Sequence, residues 1–149
     1  RRHGLGEGDA LVRAKAEAAL AAGLSPVVCV GETEAEWTAG RRREVLARQL
    51  AASLPAAAER LVVAYEPVWA IGTGQTAGPE DILAAHGFIR AALRDRWPGA
   101  AVVPILYGGS VKPDNAAAIM ALADVDGVLV GGASLDAAGF AQIAASGSV

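Results

Sequence analysis

The sequence is poor in the side chains that build cross-links and metal clusters. Its 149 residues include one cysteine, one methionine and two histidines, which excludes a disulfide framework and a zinc cluster with the usual ligands. Aromatic residues make up only 5% of the chain, and no apolar run reaches the roughly 18 residues needed to span a bilayer. The net charge is −3 and the only basic block is Arg41–Arg43, so a nucleic-acid binder is not expected.

Apolar residues, in contrast, are abundant. They make up 53% of the chain against 19% charged residues, which excludes intrinsic disorder and predicts one domain over residues 1–149. The N-terminus is polar rather than signal-like, so a cytoplasmic protein is expected. The chain begins with Arg1 and its one methionine is Met120, so we do not expect Arg1 to be a natural translation start.

Two hydrophobic periodicities alternate along the chain. Four apolar runs are typical of buried strands: Pro26–Val30, Leu61–Tyr65, Val102–Leu106 and Gly127–Val130. A helical pattern over Asp9–Ala22 precedes the first run, and one helical pattern follows each run. The second helix opens at Thr33 and carries Leu46, Leu50 and Leu54, and the third opens at Gly78. The last two cover Asn115–Ala123 and Ala137–Ala145. This order predicts an α/β fold with a parallel sheet and right-handed crossovers. Four strands fit a small open sheet or half of an eight-stranded barrel, and periodicity does not separate the two.

Glu66 directly follows an apolar strand, which places its carboxylate at the carboxyl end of the predicted sheet. Functional groups of parallel α/β folds gather at this end. The surrounding Val, Tyr, Trp and Ile side chains would desolvate the carboxylate, which suits a general base. The alternative is an ordinary glutamate that is solvated or salt-bridged at the end of its strand.

The segment Pro67–Thr76, called the lid below, is longer than the roughly 2–6 residues of a typical loop of this kind. The residues that would form its stiff body and its hinges are Pro67, Trp69, Ile71, Gly72 and Gly74. The alternative is a loop that simply packs on the surface. Gly72–Ala77 also matches the dinucleotide fingerprint formally, but it does not follow its strand directly, so a dinucleotide-binding domain ranks far below the other interpretations.

Two glycine pairs follow the last two strands. Backbone N–H groups at Gly108-Gly109-Ser110 and at Gly131-Gly132 could bind a phosphate without an arginine. In eight-stranded barrels the phosphate site often follows strands seven and eight. Either pair alone is more simply interpreted as a tight turn.

The remaining polar candidates have structural interpretations. Cys29 lies inside a strand and is predicted to pack as a small hydrophobe, while Glu32 neighbours a helix N-cap or supports the site. His86 shares a helix face with apolar residues and is predicted to be partly buried and structural. We expect His3 to be exposed and Arg41–Arg43 to form a solvated helix face.

Four ordered motifs carry a resemblance to a known family. Tyr65–Gly74 (YEPVWAIGTG) closely resembles the active-site strand and lid of triosephosphate isomerases. Cys29–Glu32 (CVGE), Tyr107–Val111 (YGGSV) and Asp126–Leu135 (DGVLVGGASL) match other signatures of that family in order and spacing. Arg1–Glu7 (RRHGLGE) looks like the segment after the family's fourth strand. The resemblance covers the whole chain and implies a (β/α)₈ barrel, here its C-terminal part with strands five to eight.

The resemblance implies interconversion of dihydroxyacetone phosphate and D-glyceraldehyde 3-phosphate, a reaction of glycolysis and gluconeogenesis. It assigns Glu66 as the base. It also implies phosphate contacts from Gly72, Ser110, Gly131 and Gly132, a hold on the closed lid from Tyr107 and Ser110, and supporting roles for Cys29, Glu32 and Glu7. It implies a cytoplasmic homodimer for the full-length enzyme. No cofactor, metal, nucleic acid or membrane partner is expected.

The chain departs from the family pattern in one important respect. The family's catalytic histidine and lysine belong to segments that have no counterpart here, and neither His3 nor Lys112 replaces them. We therefore expect the isolated chain to be inactive. Gly78 stands where the family usually has Thr or Ser, which weakens one helix N-cap. The alternative function is a non-catalytic phosphate-binding or self-assembling half-barrel.

Overall fold

The computed structural model describes residues 1–71, 76–99 and 102–147. Its helices and strands are, in chain order, α1 Asp9–Ala21, β1 Val27–Val30, α2 Glu34–Thr38, α3 Arg42–Ser53, β2 Val62–Tyr65, α4 Pro79–Arg96, β3 Ile105–Tyr107, α5 Ala116–Met120, β4 Gly127–Val128 and α6 Ala137–Ala145. Two short 3₁₀ turns cover Val68–Ala70 and Gly132–Leu135. Within the described ranges, no helix has the length and apolarity needed to cross a membrane.

The four strands form one parallel sheet in the order β1-β2-β3-β4. Tyr65 pairs with Val30 on one side and with Tyr107 on the other, and Tyr107 pairs with Val128. The predicted α/β fold with four parallel strands is therefore confirmed. Because the strands are parallel and in register, their carboxyl ends meet at one edge, where the loops that follow them lie side by side.

The core lies between the sheet and the helices that connect its strands. Val63, Ile105 and Tyr107 are fully buried in the sheet, and Leu46 of α3 and Ile89 of α4 are fully buried against it. These side chains follow the predicted periods of two for strands and about 3.6 for helices. The sheet is thereby held rigid directly below the loops at its carboxyl end.

Some predicted boundaries are wrong. The helix predicted from Thr33 onward is two helices, because Gly40 adopts a positive φ of 69° that ends α2. The predicted helix start at Thr33 is confirmed: Thr33 and Glu36 form a capping box there. The third strand begins at Ile105 rather than Val102, since Pro104 has no N–H to donate to the ladder.

Candidate active site

Glu66 lies at the carboxyl end of β2, as predicted, and is half-buried. Its backbone N–H donates to the carbonyl oxygen of Val30 at 2.8 Å, which extends the β1–β2 pairing by one residue. The glycines that follow the two neighbouring strands lie against it. A Cβ on Gly108 would stand 2.6 Å from Glu66 Cγ, and a Cβ on Gly31 would overlap the Glu66 carbonyl oxygen. Glu66 is thus enclosed by two glycines: a side chain at position 31 would collide with its backbone, and one at position 108 would displace its side chain.

A cavity of about 610 Å³ opens beside Glu66. Cys29 and Val68 line it, and so do His3 and Lys15. Burial, and next the charge of the Glu66 carboxylate, raise the pKa of the Cys29 thiol to about 12. Cys29 is half-buried rather than fully packed as a hydrophobe. The cavity offers a carboxylate and a neutral thiol to a small polar ligand.

The Glu32 carboxylate is fully buried and joins three elements. Its Oε1 accepts hydrogen bonds from the Tyr65 hydroxyl at 2.9 Å, from Trp69 Nε1 at 3.1 Å and from Arg42 Nε at 3.2 Å. Arg42 also donates through Nη2 to Asp81 in the first turn of α4. Burial, and next the charge of Glu32, raise the pKa of Tyr65 above its usual range. Glu32 therefore holds both the residue before Glu66 and the tryptophan of the lid.

The position of Arg42 differs from the prediction made for Arg41–Arg43. Its side chain is only 15% exposed, so the interpretation of Arg41–Arg43 as a solvated face is wrong for this residue. Sequence reasoning missed Arg42 because its partners are distant in sequence and belong to different elements. It missed the role of Gly31 for the same reason, although Gly31 lies inside a motif that was recognised.

The described part of the lid packs onto the sheet. Pro67, Trp69 and Ala70 are buried, whereas Ile71 is 44% exposed. The backbone N–H of Val68 donates to the carbonyl oxygen of Glu32 at 3.0 Å. The predicted hinge glycines, Gly72 and Gly74, lie outside the described residues, as does the predicted phosphate contact of the Gly72 N–H.

The glycine pairs follow neighbouring strands, as predicted. Tyr107 is buried, and burial raises its pKa. A Cβ on Gly109 would overlap the Tyr107 hydroxyl. Ser110 is half-buried, and its carbonyl oxygen accepts a hydrogen bond from Asn115 Nδ2 at 3.1 Å.

The second glycine pair, after β4, lies on the protein surface. Gly131 and Gly132 are exposed, and a Cβ at either would meet no atom within 4 Å. Ser134 Oγ donates to the carbonyl oxygen of Gly131 at 2.7 Å. Backbone at this position is therefore accessible to an anion.

Three other residues were predicted to have supporting or structural positions, and of these Glu7 and His3 also line the cavity. Glu7 accepts hydrogen bonds from Lys15 and Arg1, and the bond from Lys15 is the first cause that lowers the pKa of Glu7. His3 is exposed. His86 is fully buried on α4, its Nδ1 donates to the carbonyl oxygen of Asp124 at 2.9 Å, and burial lowers its pKa. His86 is therefore a structural histidine, more deeply buried than predicted.

The fold and the position of Glu66 define a parallel α/β protein with its candidate site at the carboxyl end of the sheet. The sequence pattern of the triosephosphate isomerase family matches residues 1–147. The chain is 58% identical over 147 residues to the triosephosphate isomerase of Xanthobacter autotrophicus and 60% identical over 148 residues to that of Rhodopseudomonas palustris. Both alignments cover 97% of this chain and 58% of the relative.

A solved structure agrees with these relatives. The crystal structure of triosephosphate isomerase from Bartonella henselae superposes with a TM-score of 0.90 at 44% identity, covering 98% of this chain and 60% of that one. This chain belongs to the triosephosphate isomerase family. It spans somewhat less than two thirds of the length of the relatives it matches.

Proposed function

We propose that this chain is the part of a triosephosphate isomerase that carries the catalytic base, Glu66. The observation that carries the proposal is the position of Glu66 between Gly31 and Gly108, beside a cavity and directly before the lid. The substrates are dihydroxyacetone phosphate and D-glyceraldehyde 3-phosphate, as the names of the relatives suggest.

In this reaction the Glu66 carboxylate removes a proton from the substrate carbon next to the carbonyl. The carbonyl oxygen becomes the negatively charged oxygen of an enediolate. A proton then moves from the hydroxyl oxygen of the enediolate to its negatively charged oxygen. Protonated Glu66 returns its proton to the former carbonyl carbon, so that the carbonyl now lies on the neighbouring carbon and the carboxylate is regenerated. Because both steps use the same carboxylate, Glu66 has to be held in place. The Val30 hydrogen bond and Gly31 fix its backbone, and Gly108 lies against its side chain.

The phosphate group would bind at the glycine-containing loops after β3 and β4. Accessible backbone at Gly131 and Gly132 and the half-buried Ser110 support this assignment. N–H groups at such loops bind anions. Tyr107 would hold the closed lid through its hydroxyl.

We further propose that the four strands are strands five to eight of an eight-stranded barrel. The order of the motifs supports this placement, and so do β1 and β4, which each have one edge without a paired strand in the described part of the chain. The complete enzyme would be a cytoplasmic homodimer. A gene that encodes this chain together with four preceding strands would establish the placement; one that encodes four following strands would contradict it.

Residues 1–149 alone are expected to lack isomerase activity. Of the histidines and lysines, His86 is buried on α4 and Lys112 is exposed. His3 and Lys15 line the cavity, but His3 is exposed and Lys15 is paired with Glu7. Losing one preorganised donor to the developing oxyanion costs about 10²–10³ in rate. A coupled assay on the purified 149-residue polypeptide tests this expectation, and turnover that depends on Glu66 would contradict it.

The function itself is tested by Glu66→Gln in the complete enzyme that carries this sequence. We expect kcat to fall by several orders of magnitude with a smaller change in KM, since the carboxamide cannot accept the proton. Glu80→Gln, an exposed carboxylate in the first turn of α4, is the matched control and should leave kcat unchanged. A Glu66→Gln enzyme that keeps a tenth of the original kcat would contradict the assignment. A wild-type protein that binds phosphate without isomerising would favour the non-catalytic alternative.

A further inference from the structure

Two tryptophans stack at the base of the lid. The rings of Trp37 and Trp69 have centroids 4.4 Å apart and planes inclined by 22°. Trp69 belongs to the 3₁₀ turn Val68–Ala70 and is 7% exposed, whereas Trp37 lies on α2 and is 38% exposed. Trp37 therefore covers one face of the Trp69 ring and has its own other side in solvent.

Trp37 lies on a helix whose first turn is fixed by side-chain hydrogen bonds. α2 begins with a capping box in which Thr33 N–H donates to Glu36 Oε2 at 2.8 Å and Glu36 N–H donates to Thr33 Oγ1 at 3.3 Å. Glu32 directly precedes this box, so the residue that binds the edge of the Trp69 ring and the residue that covers its face lie on one short, capped segment. Such a pair restrains both the tilt and the depth of the ring.

Trp69 belongs to the backbone turn that leaves Glu66, and its ring attaches this turn to Glu32. The Val68 N–H donates to the Glu32 carbonyl oxygen at 3.0 Å, and the Ala70 N–H donates to the Pro67 carbonyl oxygen at 2.9 Å. Without the Trp37 ring, one face of Trp69 would be open to water, which would then lie closer to the Nε1 bond to Glu32. Water competes for hydrogen bonds of this kind and reduces their net contribution.

From these contacts we propose that Trp37 is a positioning residue for the catalytic base, which it controls through Trp69 and the turn Val68–Ala70. The activity part of the proposal rests on the proposed function. A stacked aromatic pair contributes enough beyond its buried area to change an equilibrium by about 2- to 10-fold. Trp37 does not line the cavity beside Glu66, so its loss should act on kcat more than on KM.

The test uses the complete enzyme with five variants. Trp37→Leu removes the ring and should lower kcat by about 2- to 10-fold with little change in KM. Trp37→Phe keeps a ring for stacking and should restore most of the kcat. Trp69→Leu combined with Trp37→Leu should be no slower than Trp69→Leu alone, because Trp37 acts through Trp69. Trp97→Phe is the control, since Trp97 bonds to Ala56 at a distant site.

A second measurement does not depend on activity. Amide hydrogen exchange of a peptide that contains Val68–Ile71 should be about 2- to 10-fold faster in Trp37→Leu and nearly unchanged in Trp37→Phe and Trp97→Phe. If the wild-type enzyme has no isomerase activity but this exchange pattern holds, the proposed function fails and the positioning role stands. Unchanged kcat and unchanged exchange in Trp37→Leu would overturn the proposal, as would an activity loss that Trp37→Phe does not reverse.

Discussion

Glycine at position 108 determines how close β3 can lie to the base. Its hydrogen atom faces Glu66 Cγ, where a methyl group would be 2.6 Å away. This contact involves a side chain rather than backbone, in contrast to Gly31, whose Cβ would meet the Glu66 carbonyl group. A methyl group at position 108 can therefore be accommodated if the carboxylate moves.

We predict that Gly108→Ala in the complete enzyme lowers kcat by roughly 10- to 100-fold, because a displacement of about 1 Å at the reacting group costs this much. Gly87→Ala on α4 is the matched control, since a Cβ there meets no atom within 4 Å. Steady-state kinetics and thermal unfolding of both variants provide the measurement. A Gly108→Ala enzyme with unchanged kcat would show that Glu66 is not confined by β3.

Cys29 should react slowly with thiol reagents. Its pKa is raised to about 12, first by burial and then by the Glu66 carboxylate, so at pH 8 its thiolate is far rarer than that of a thiol with the ordinary pKa of 9.0. We expect alkylation at pH 8 to be at least about 100-fold slower than in urea. Glu66→Gln should accelerate it, because the substitution removes a charge that raises the pKa.

The same shift has a consequence for stability. The folded chain holds the Cys29 thiol proton more tightly than the unfolded chain, so the raised pKa adds to the free energy of unfolding. This stabilisation is complete below pH 9 and is lost as the pH rises toward about 12. Alkylation of folded Cys29 at the rate of a free thiol would contradict the whole account.

At the scale of elements, one arginine joins α4 to the segments that lead into the last two strands. Arg90 is 4% exposed, and it donates to the Val103 carbonyl oxygen at 2.7 Å, to Asp124 at 3.1 Å and to Asp126. Asp126 Oδ2 also accepts the backbone N–H of Ile105 at 2.7 Å. One guanidinium therefore connects α4, the beginning of β3 and the segment that precedes β4.

We predict that Arg90→Met lowers the free energy of unfolding by about 1–3 kcal/mol, since it leaves a buried carbonyl oxygen and a carboxylate without their donor. Arg94→Met, which changes an exposed arginine one turn later, should change it by less than about 0.5 kcal/mol. Urea denaturation of the complete enzyme and its two variants measures the difference. Equal midpoints for the two variants would contradict the role of Arg90.

At the scale of the whole molecule, the sheet has two edges without a paired strand in the part of the chain that the structure describes. Large apolar side chains are exposed near these edges and in the loops, including Val27 at 45%, Val102 at 70% and Leu135 at 90%. Unpaired edges and exposed apolar patches favour association with another chain.

We therefore predict that a polypeptide of residues 1–149 alone forms dimers or larger assemblies at tens of micromolar. Val27→Lys, which places a charge on the β1 edge, should weaken association, while Leu5→Lys, at an exposed position outside the strands, should not. Light scattering measures the mass of the assembly, and thermal unfolding shows whether the polypeptide unfolds cooperatively. A monomer with a sharp cooperative transition would show that the prediction is wrong.

The sequence by itself determined the local features of this protein. Short apolar runs alternating with helical periodicity were sufficient to predict four parallel strands, and the apolar run that ends at Tyr65 placed Glu66 at the correct edge. The motifs around Glu66 and Gly108-Gly109 were sufficient to indicate the family. All of these signals extend over a few consecutive residues, which is why a single sequence shows them without an alignment.

Only the tertiary structure decided which side chains meet. Arg42 meets Glu32 and Asp81 because α3 and α4 pack side by side, and no spacing in the sequence encodes that contact. Trp37 stacks on Trp69, and Gly31 and Gly108 enclose Glu66, because the register of three strands brings their ends together. The physical reason is that periodicity reports the direction of each side chain within its own element, whereas the partner of that side chain depends on elements that lie tens of residues away.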